Sequence, residues 1–200
     1  DIKTPPLFLQ SGNIKIYLTD LTKVLKPSNN CSADICKALL NEINSAQNTI
    51  DFAIYGYTKI PAIENSLKKA QERGVQIRFV YDADEKINNH YPDTNYLSDI
   101  FTNNKSDLSS KLMHNKFFVF DNKTVLTGSA NLSNTDMSGF NSNVVVIIDS
   151  SELANVYKKE FEQMYEGKFQ TNKKIIPNKD FPFRRLTSHI QSKYYLYVYS

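Results

Sequence analysis

The 200-residue chain carries 24 Lys and Arg against 21 Asp and Glu, with 40% hydrophobic and 22% charged residues, which is enough to bury the core of one ordinary domain without disulfide staples. No apolar run approaches the ~20 residues that span a bilayer, which excludes a membrane-spanning helix within it. A net charge of +3 permits an anionic partner but is far weaker than the basic stripe of a DNA-coating protein.

Residues 1–13 read as an extended, Pro-containing lead. From there Ile14-Lys15-Ile16-Tyr17-Leu18 alternates as a strand, and the segment from Pro27 to Asn30 breaks the chain before a helix that Ser32 is placed to cap. Ile35, Cys36, Leu39, Leu40, Ile43 and Ala46 follow the helical period, so Cys36 is expected as a small core residue. With Cys31 it makes too few cysteines for a disulfide framework, and no Cys/His spacing matches a structural zinc site. Any metal dependence has to rest on other residues, and no cofactor is expected.

Thr49 to Tyr55 reads as a strand, Pro61 opens a helix with the stripe Ile63, Leu67 and Ala70, and Gly74 supplies its left-handed stop before a strand over Val75 to Tyr81. Strand, helix and strand within roughly 33 residues form a βαβ unit with parallel strands, so the architecture is α/β. Asp84 to Ser110 is polar, rich in Asn and Asp, and reads as irregular surface able to wall a cleft, with one helical turn at Tyr96, Leu97, Ile100 and Phe101. A hairpin is expected over Lys116 to Thr127, a buried strand over Val144 to Ile148, and a helix through Leu153, Val156, Tyr157, Phe161, Met164 and Tyr165, stopped by Gly167. The domain is therefore expected over 14–167. Residues 168–200 form a tail ending in the strand-like Tyr194 to Ser200, either an edge strand of a complete domain or the start of a second repeat.

Chemistry concentrates in Met113-His114-Asn115-Lys116-Phe117-Phe118-Val119-Phe120-Asp121, followed after six residues by Gly128-Ser129-Ala130-Asn131. On a strand His114 and Lys116 leave the same face and converge on one anionic group, whereas Asp121 points elsewhere and suits a turn or buried pairing role. With a two-residue turn at Asn122-Lys123, facing residues sum to 245, setting Lys116 across from Ser129 and His114 across from Asn131. A shift of one residue pairs His114 with Ser129 instead. Gly128 permits close backbone approach there. A neutral imidazole can attack phosphorus while the Lys116 ammonium, the Ser129 hydroxyl and the Asn131 amide donate to oxygens on which charge builds. Phosphodiester cleavage through a phosphohistidine fits this set, which lacks a general acid for the leaving oxygen. His90 and His189 are expected as solvated surface histidines.

The pattern His114-x-Lys116-(x)4-Asp121-(x)6-Gly128-Ser129-x-Asn131 resembles the HKD signature of the phospholipase D superfamily. The text around Ile50 to Tyr55, Ala70 to Val75 and Phe79 to Asp82 is similar to the βαβ unit of its single-motif nucleases. The resemblance implies a mixed β-sheet flanked by helices on both faces, with His114, Lys116 and Asp121 as the catalytic set and phosphate held by Lys116, Ser129 and Asn131. It implies no metal, and two HKD motifs meeting across a pseudo-twofold axis, one His as nucleophile and the other as acid. A homodimer is then expected, or a second HKD half in a longer chain. Single-motif nucleases carry Glu after the signature, paired with the nucleophilic His; alignment on Asn141-Ser142-Asn143-Val144 puts Asn143 there, unless the alignment is shifted or Asp136 serves instead. The expected activity is a nuclease acting on DNA or RNA. Polar loops at Asn88 to Asn95 and Asn103 to Ser110, with Lys105 and Lys111 along a phosphate backbone, weigh against the alternative of a phospholipase D or phosphatidyltransferase acting on phospholipid. A first residue of Asp1 fits a removed export signal as well as the boundary of a longer chain, so the expected compartment leans to exported, periplasmic or secreted.

Overall fold

The structure is a computed structural model that describes residues 8–174. The expected strand from Tyr194 to Ser200, and with it the reading of the tail as a second repeat, lies outside the described residues. Strands β1 (Phe8–Ser11), β2 (Ile14–Leu18), β3 (Thr49–Ile54), β4 (Gln76–Tyr81), β5 (Asn104–Ser106), β6 (Phe117–Phe120), β7 (Thr124–Gly128) and β8 (Val144–Asp149) form one sheet in the order β1-β2-β8-β7-β6-β3-β4-β5. Pairing is parallel for β3, β4 and β5 and antiparallel elsewhere, so the sheet is mixed.

Alternation along each strand divides the core into two layers. Ile50, Phe52, Ile54, Phe79, Phe118, Phe120 and Leu126 face the helices α1 (Asp34–Ser45) and α2 (Pro61–Glu72). Ala53, Val80, Phe117, Val119 and Val125 face α5 (Ser151–Tyr165) through its Ala154, Tyr157, Phe161 and Met164. Two short helices, α3 (Thr94–Ile100) and α4 (Asn134–Met137), complete the chain order. Helices on both faces of a mixed sheet make the α/β sandwich that the sequence implies. On the α5 side Arg78 forks onto the buried Asp51 at 2.8 and 3.1 Å and reaches Glu162 at 2.7 Å, with Lys158 also on Asp51. Desolvation of this set is offset only because each charge is paired, so it fixes where α5 sits more than it adds net stability.

Away from the His114 segment, the elements depart from the sequence reading in five places. Phe8–Ser11 of the extended lead is strand β1, hairpinned onto β2 through Gly12. Ser32 does not cap α1: the capping position is Ala33, which lends no side-chain bond, while the Ser32 hydroxyl donates to the Ser138 carbonyl at 3.2 Å. Cys36 is fully buried as expected but not free, since it is bonded to Cys31. Within the polar stretch from Asp84 to Ser110, Asn104–Ser106 extends the sheet as β5, a segment too short and polar to show strand periodicity. Finally, β6 pairs β7 with facing residues summing to 244, as in Phe117 against Thr127, because the turn holds three residues, Asp121, Asn122 and Lys123, in place of two.

That turn explains Asp121. Both Asp121 and Asn122 take left-handed backbone, φ 52 in each, a conformation that Asp and Asn tolerate better than other side chains. The Asp121 carboxylate then accepts from the backbone amides of Gln47 at 2.9 Å, Asn48 at 2.7 Å and Thr49 at 2.9 Å. Burial opposes ionisation, but these bonds outweigh it and hold the carboxyl below its usual range. Asp121→Ala is expected to lower unfolding free energy by about 2 kcal/mol in urea titration. A lowered folded pKa means that this contribution is complete above the ordinary carboxylate range and is lost only as pH falls through the folded value. The gap to wild type should therefore persist at pH 5 and close only under strong acid.

Candidate active site

The sheet topology gathers several loops at one rim. β3 and β4 run parallel and end at Ile54 and Tyr81, while the antiparallel β6 starts beside their ends, so Tyr55, Asp82 and the segment leading into β6 meet there. β7 ends and β8 begins at the same rim, adding Ser129, Asn131 and Asn143. Of the residues expected in the site, His114, Lys116, Gly128, Ser129, Asn131 and Asn143 lie at this rim. Asp121 lies beyond the opposite end of β6, in the turn already described.

His114 and Lys116 are not on a strand, as the sequence reading has them; β6 begins at Phe117 and both residues lie in the extended lead into it. Lys116 folds its ammonium back onto the His114 carbonyl at 3.1 Å, and its own carbonyl accepts from the Thr127 hydroxyl at 3.2 Å. Lys116 lines a small apolar cavity with Ile54, Phe118, Leu126 and Leu132. Desolvation there pulls the ammonium down to about 8, against the attraction of Asp136. For His114, partial desolvation comes first and the Lys116 charge second, both lowering its pKa, with Asp82 acting in the opposite sense. The ring is thus neutral near pH 7, the form that can attack.

Around this pair the polar partners are fixed. Ser129 donates from its hydroxyl to the Asn143 side-chain oxygen at 2.8 Å, and that hydroxyl accepts from the Val144 amide at 3.1 Å. Asn143 therefore binds Ser129, and among the described residues no side-chain hydrogen bond reaches the His114 ring. Buried Asp136 accepts from the Asn131 amide N–H at 2.7 Å, from the Asn131 side chain at 3.0 Å and from the Asn141 side chain at 2.7 Å. The side-chain oxygen of Asn131 is buried and has no hydrogen-bond partner among the described residues. Gly128 has a steric reason: a Cβ there would stand 2.1 Å from the Val144 carbonyl oxygen.

Three further residues belong to the site and are absent from the sequence reading of it. Tyr55 lies edge-on to His114 at 4.9 Å between ring centroids, and the Lys116 ammonium stands 5.6 Å over its ring. His90, expected as a solvated surface residue, is exposed but also stacks on Tyr55 at 6.0 Å and meets Tyr91 at 4.9 Å. Asp82 accepts from the Met113 amide at 2.6 Å. The available signal for Tyr55 and Asp82 was their place one residue beyond the ends of the parallel strands, where α/β folds collect ligand contacts. His189 lies outside the described residues.

A mixed sheet between helices, with an imidazole, a partly desolvated ammonium, a hydroxyl and an amide at one rim, defines a phosphodiesterase of the α/β class. Residues 39–165 match the family described as cardiolipin synthase, PLD-like domain, and the chain belongs to it and so to the phospholipase D superfamily. It is 27% identical over 175 residues to the mitochondrial cardiolipin hydrolase of Xenopus laevis, covering 82% of this chain and 80% of that one. Its counterpart from Mus musculus is less fully spanned, the match covering 62% of its length. Among solved structures, NucT from Helicobacter pylori superposes with TM-score 0.58 at 26% identity over 77% of this chain and 97% of that one. The phospholipase D family member Nuc from Salmonella typhimurium gives TM-score 0.59 at 24% identity over 77% and 94%.

A neutral His114 and a charged Lys116 are required together, so hydrolysis of bis(4-nitrophenyl) phosphate is expected to follow a bell-shaped pH profile. Its acid limb should fall below the ordinary histidine range and its alkaline limb near about 8. Lys116→Arg, whose charge persists far above that pH, should lose the alkaline limb even where its rate is reduced.

Proposed function

We propose that the protein is a metal-independent nuclease that cleaves phosphodiester bonds through a covalent phosphohistidine at His114. A His114 ring nitrogen attacks phosphorus and forms the N–P bond as the P–O bond to the leaving group breaks. Lys116 stabilises charge on the oxygens left on phosphorus, joined by the Ser129 hydroxyl once it turns from Asn143 to the substrate and by the second N–H of the Asn131 side chain. The leaving oxygen takes its proton from a second imidazole, His114 of a twofold-related copy or the His of a second HKD half. Water then displaces phosphate from the ring with that imidazole as base. The observation that carries nucleic acid as substrate is the wall of rings, Tyr55, His90 and Tyr91, beside the ammonium of Lys116. Successive bases stack on such rings while cations track the phosphates.

A phospholipid substrate is the second reading. Leu25 at 93% exposure, Leu112 at 64%, Ile87 and Leu108 are open to solvent in loops at the site-bearing rim, where apolar side chains suit a lipid surface. Leu108 lies within the loop from Asn103 to Ser110 expected to be polar, and its exposure corrects that expectation. The relatives named as cardiolipin hydrolases point the same way. The Cys31–Cys36 disulfide fits an oxidising compartment and so agrees with export.

Side-by-side assays on single-stranded DNA, single-stranded RNA and vesicles containing cardiolipin separate the readings. Cleavage of an oligonucleotide, unchanged by EDTA and lowered by at least about 10³-fold in His114→Asn, is expected. Hydrolysis of cardiolipin with both nucleic acids left intact would sink the nuclease reading and leave the phosphohistidine chemistry standing. For the shared site, mixing His114→Ala with wild-type subunits should give heterodimers of lowered activity; a fully active monomer by light scattering would overturn it.

A further inference from the structure

We propose that Asp82 is the positioning residue for His114, its buried carboxylate at the end of β4 acting on the imidazole through the Met113-His114 lead into β6. This rests on His114 being the reacting group. The carboxylates and amides near the ring leave few candidates. Asp136 is committed to Asn131 and Asn141, and the neutral Asn143 to Ser129. Asp82 is only 6% exposed, and one of its oxygens takes the amide of Met113 at 2.6 Å, which fixes the backbone immediately before His114. The Asn89 side chain bridges the carbonyls of Asp82 and Tyr55, so the ends of β4 and β3 are tied together at the point where both face the ring.

Charge gives this geometry a chemical purpose. When neutral His114 bonds to phosphorus, positive charge appears on the ring, and a nearby carboxylate stabilises it. Asp107 stands behind Asp82: one of its oxygens takes the Ala83 amide at 2.9 Å, and the other is buried with no hydrogen-bond partner among the described residues. Burial, with the Asp82 charge adding to it, pushes Asp107 up to about 6 against the Ala83 bond. Asp82 is itself raised, by burial first and with a contribution from Asp84, against the Met113 bond and the attraction of His114. The Asp82 carboxylate, with the Asp107 carboxyl behind it, favours the charged state of His114 that Lys116 and desolvation disfavour. Tyr55, the remaining titratable group against the ring, is shifted upward by burial and stays neutral.

The test is an NMR titration of the His114 imidazole in the full chain, assigned by comparison with His90→Gln and His189→Gln. Asn keeps an oxygen for the Met113 amide, so Asp82→Asn removes charge with little change of shape. In that variant the His114 pKa should fall by about half a unit or more. On bis(4-nitrophenyl) phosphate, kcat should fall about tenfold or more with KM within about twofold, and Asp82→Glu should recover part of kcat. An unchanged His114 pKa in folded Asp82→Asn overturns the proposal. Should that variant fail to fold, wild type decides: the His114 signal should inflect a second time, in acid, as Asp82 titrates, and a single-step curve overturns the proposal. Full activity in His114→Asn would instead sink the phosphohistidine reading, whatever the titration gives.

Discussion

The three amide bonds to the Asp121 carboxylate set the register on which the site depends. By clamping Gln47, Asn48 and Thr49 they align Ile50 with Phe120, and the antiparallel ladder then carries that alignment to Ala53 and Phe117 at the other end. Tyr55 and His114 meet only because of this count. A slip of one residue would turn Phe118 and Phe120 from the α1 and α2 layer to the α5 layer and take His114 with them. A residue of the signature thus serves the site from the far end of a strand, through backbone geometry and without approaching substrate.

The elements most legible in the sequence were those whose apolar period is long. The βαβ unit from Thr49 to Tyr81, the hairpin around Asp121 and the helix ending at Gly167 all stand within a residue or two of expectation, because burial on a defined face dictates their pattern. What was not legible had no pattern to show. β5 is three polar residues that gain strand geometry from their neighbour β4 alone, and β1 is exposed on an edge. The hairpin register missed by one because a three-residue turn with two left-handed residues looks, in sequence, like a two-residue turn with Asn and Lys. The site residues on the signature were nameable from spacing, but Tyr55 comes from the loop after β3 and Asp82 and His90 from the loop after β4, and only the crossing of parallel and antiparallel pairing brings them to His114.

Asn143 is the residue that the resemblance to single-motif nucleases sets where a carboxylate is expected. Asn143 is turned to Ser129, where its oxygen accepts the hydroxyl proton, and Ser129 in turn accepts the Val144 amide. A carboxylate in that place would compete with this arrangement and add a second negative charge beside Asp136. With Asn there, Asp136 acts on Lys116 and Asp82 on His114, each favouring the charged form of its partner.

Desolvation and charge then work against each other at both groups, and their balance sets the protonation states. Lys116 remains mostly protonated at neutral pH because its fall stops at about 8, while the uncharged form of His114 predominates because its ordinary pKa already lies near neutrality and is lowered further. An apolar wall beside Lys116, built from Ile54, Phe118 and Leu126, is therefore part of the chemistry as well as of the core. The His114 carbonyl holds the ammonium, and the desolvation that lowers its pKa also weakens its hydration, which would let an anionic oxygen replace water there at lower cost than on an exposed lysine. The packing of β3, β6 and β7 against α1 and the lowered pKa of the rim ammonium are in this sense one property of the sheet.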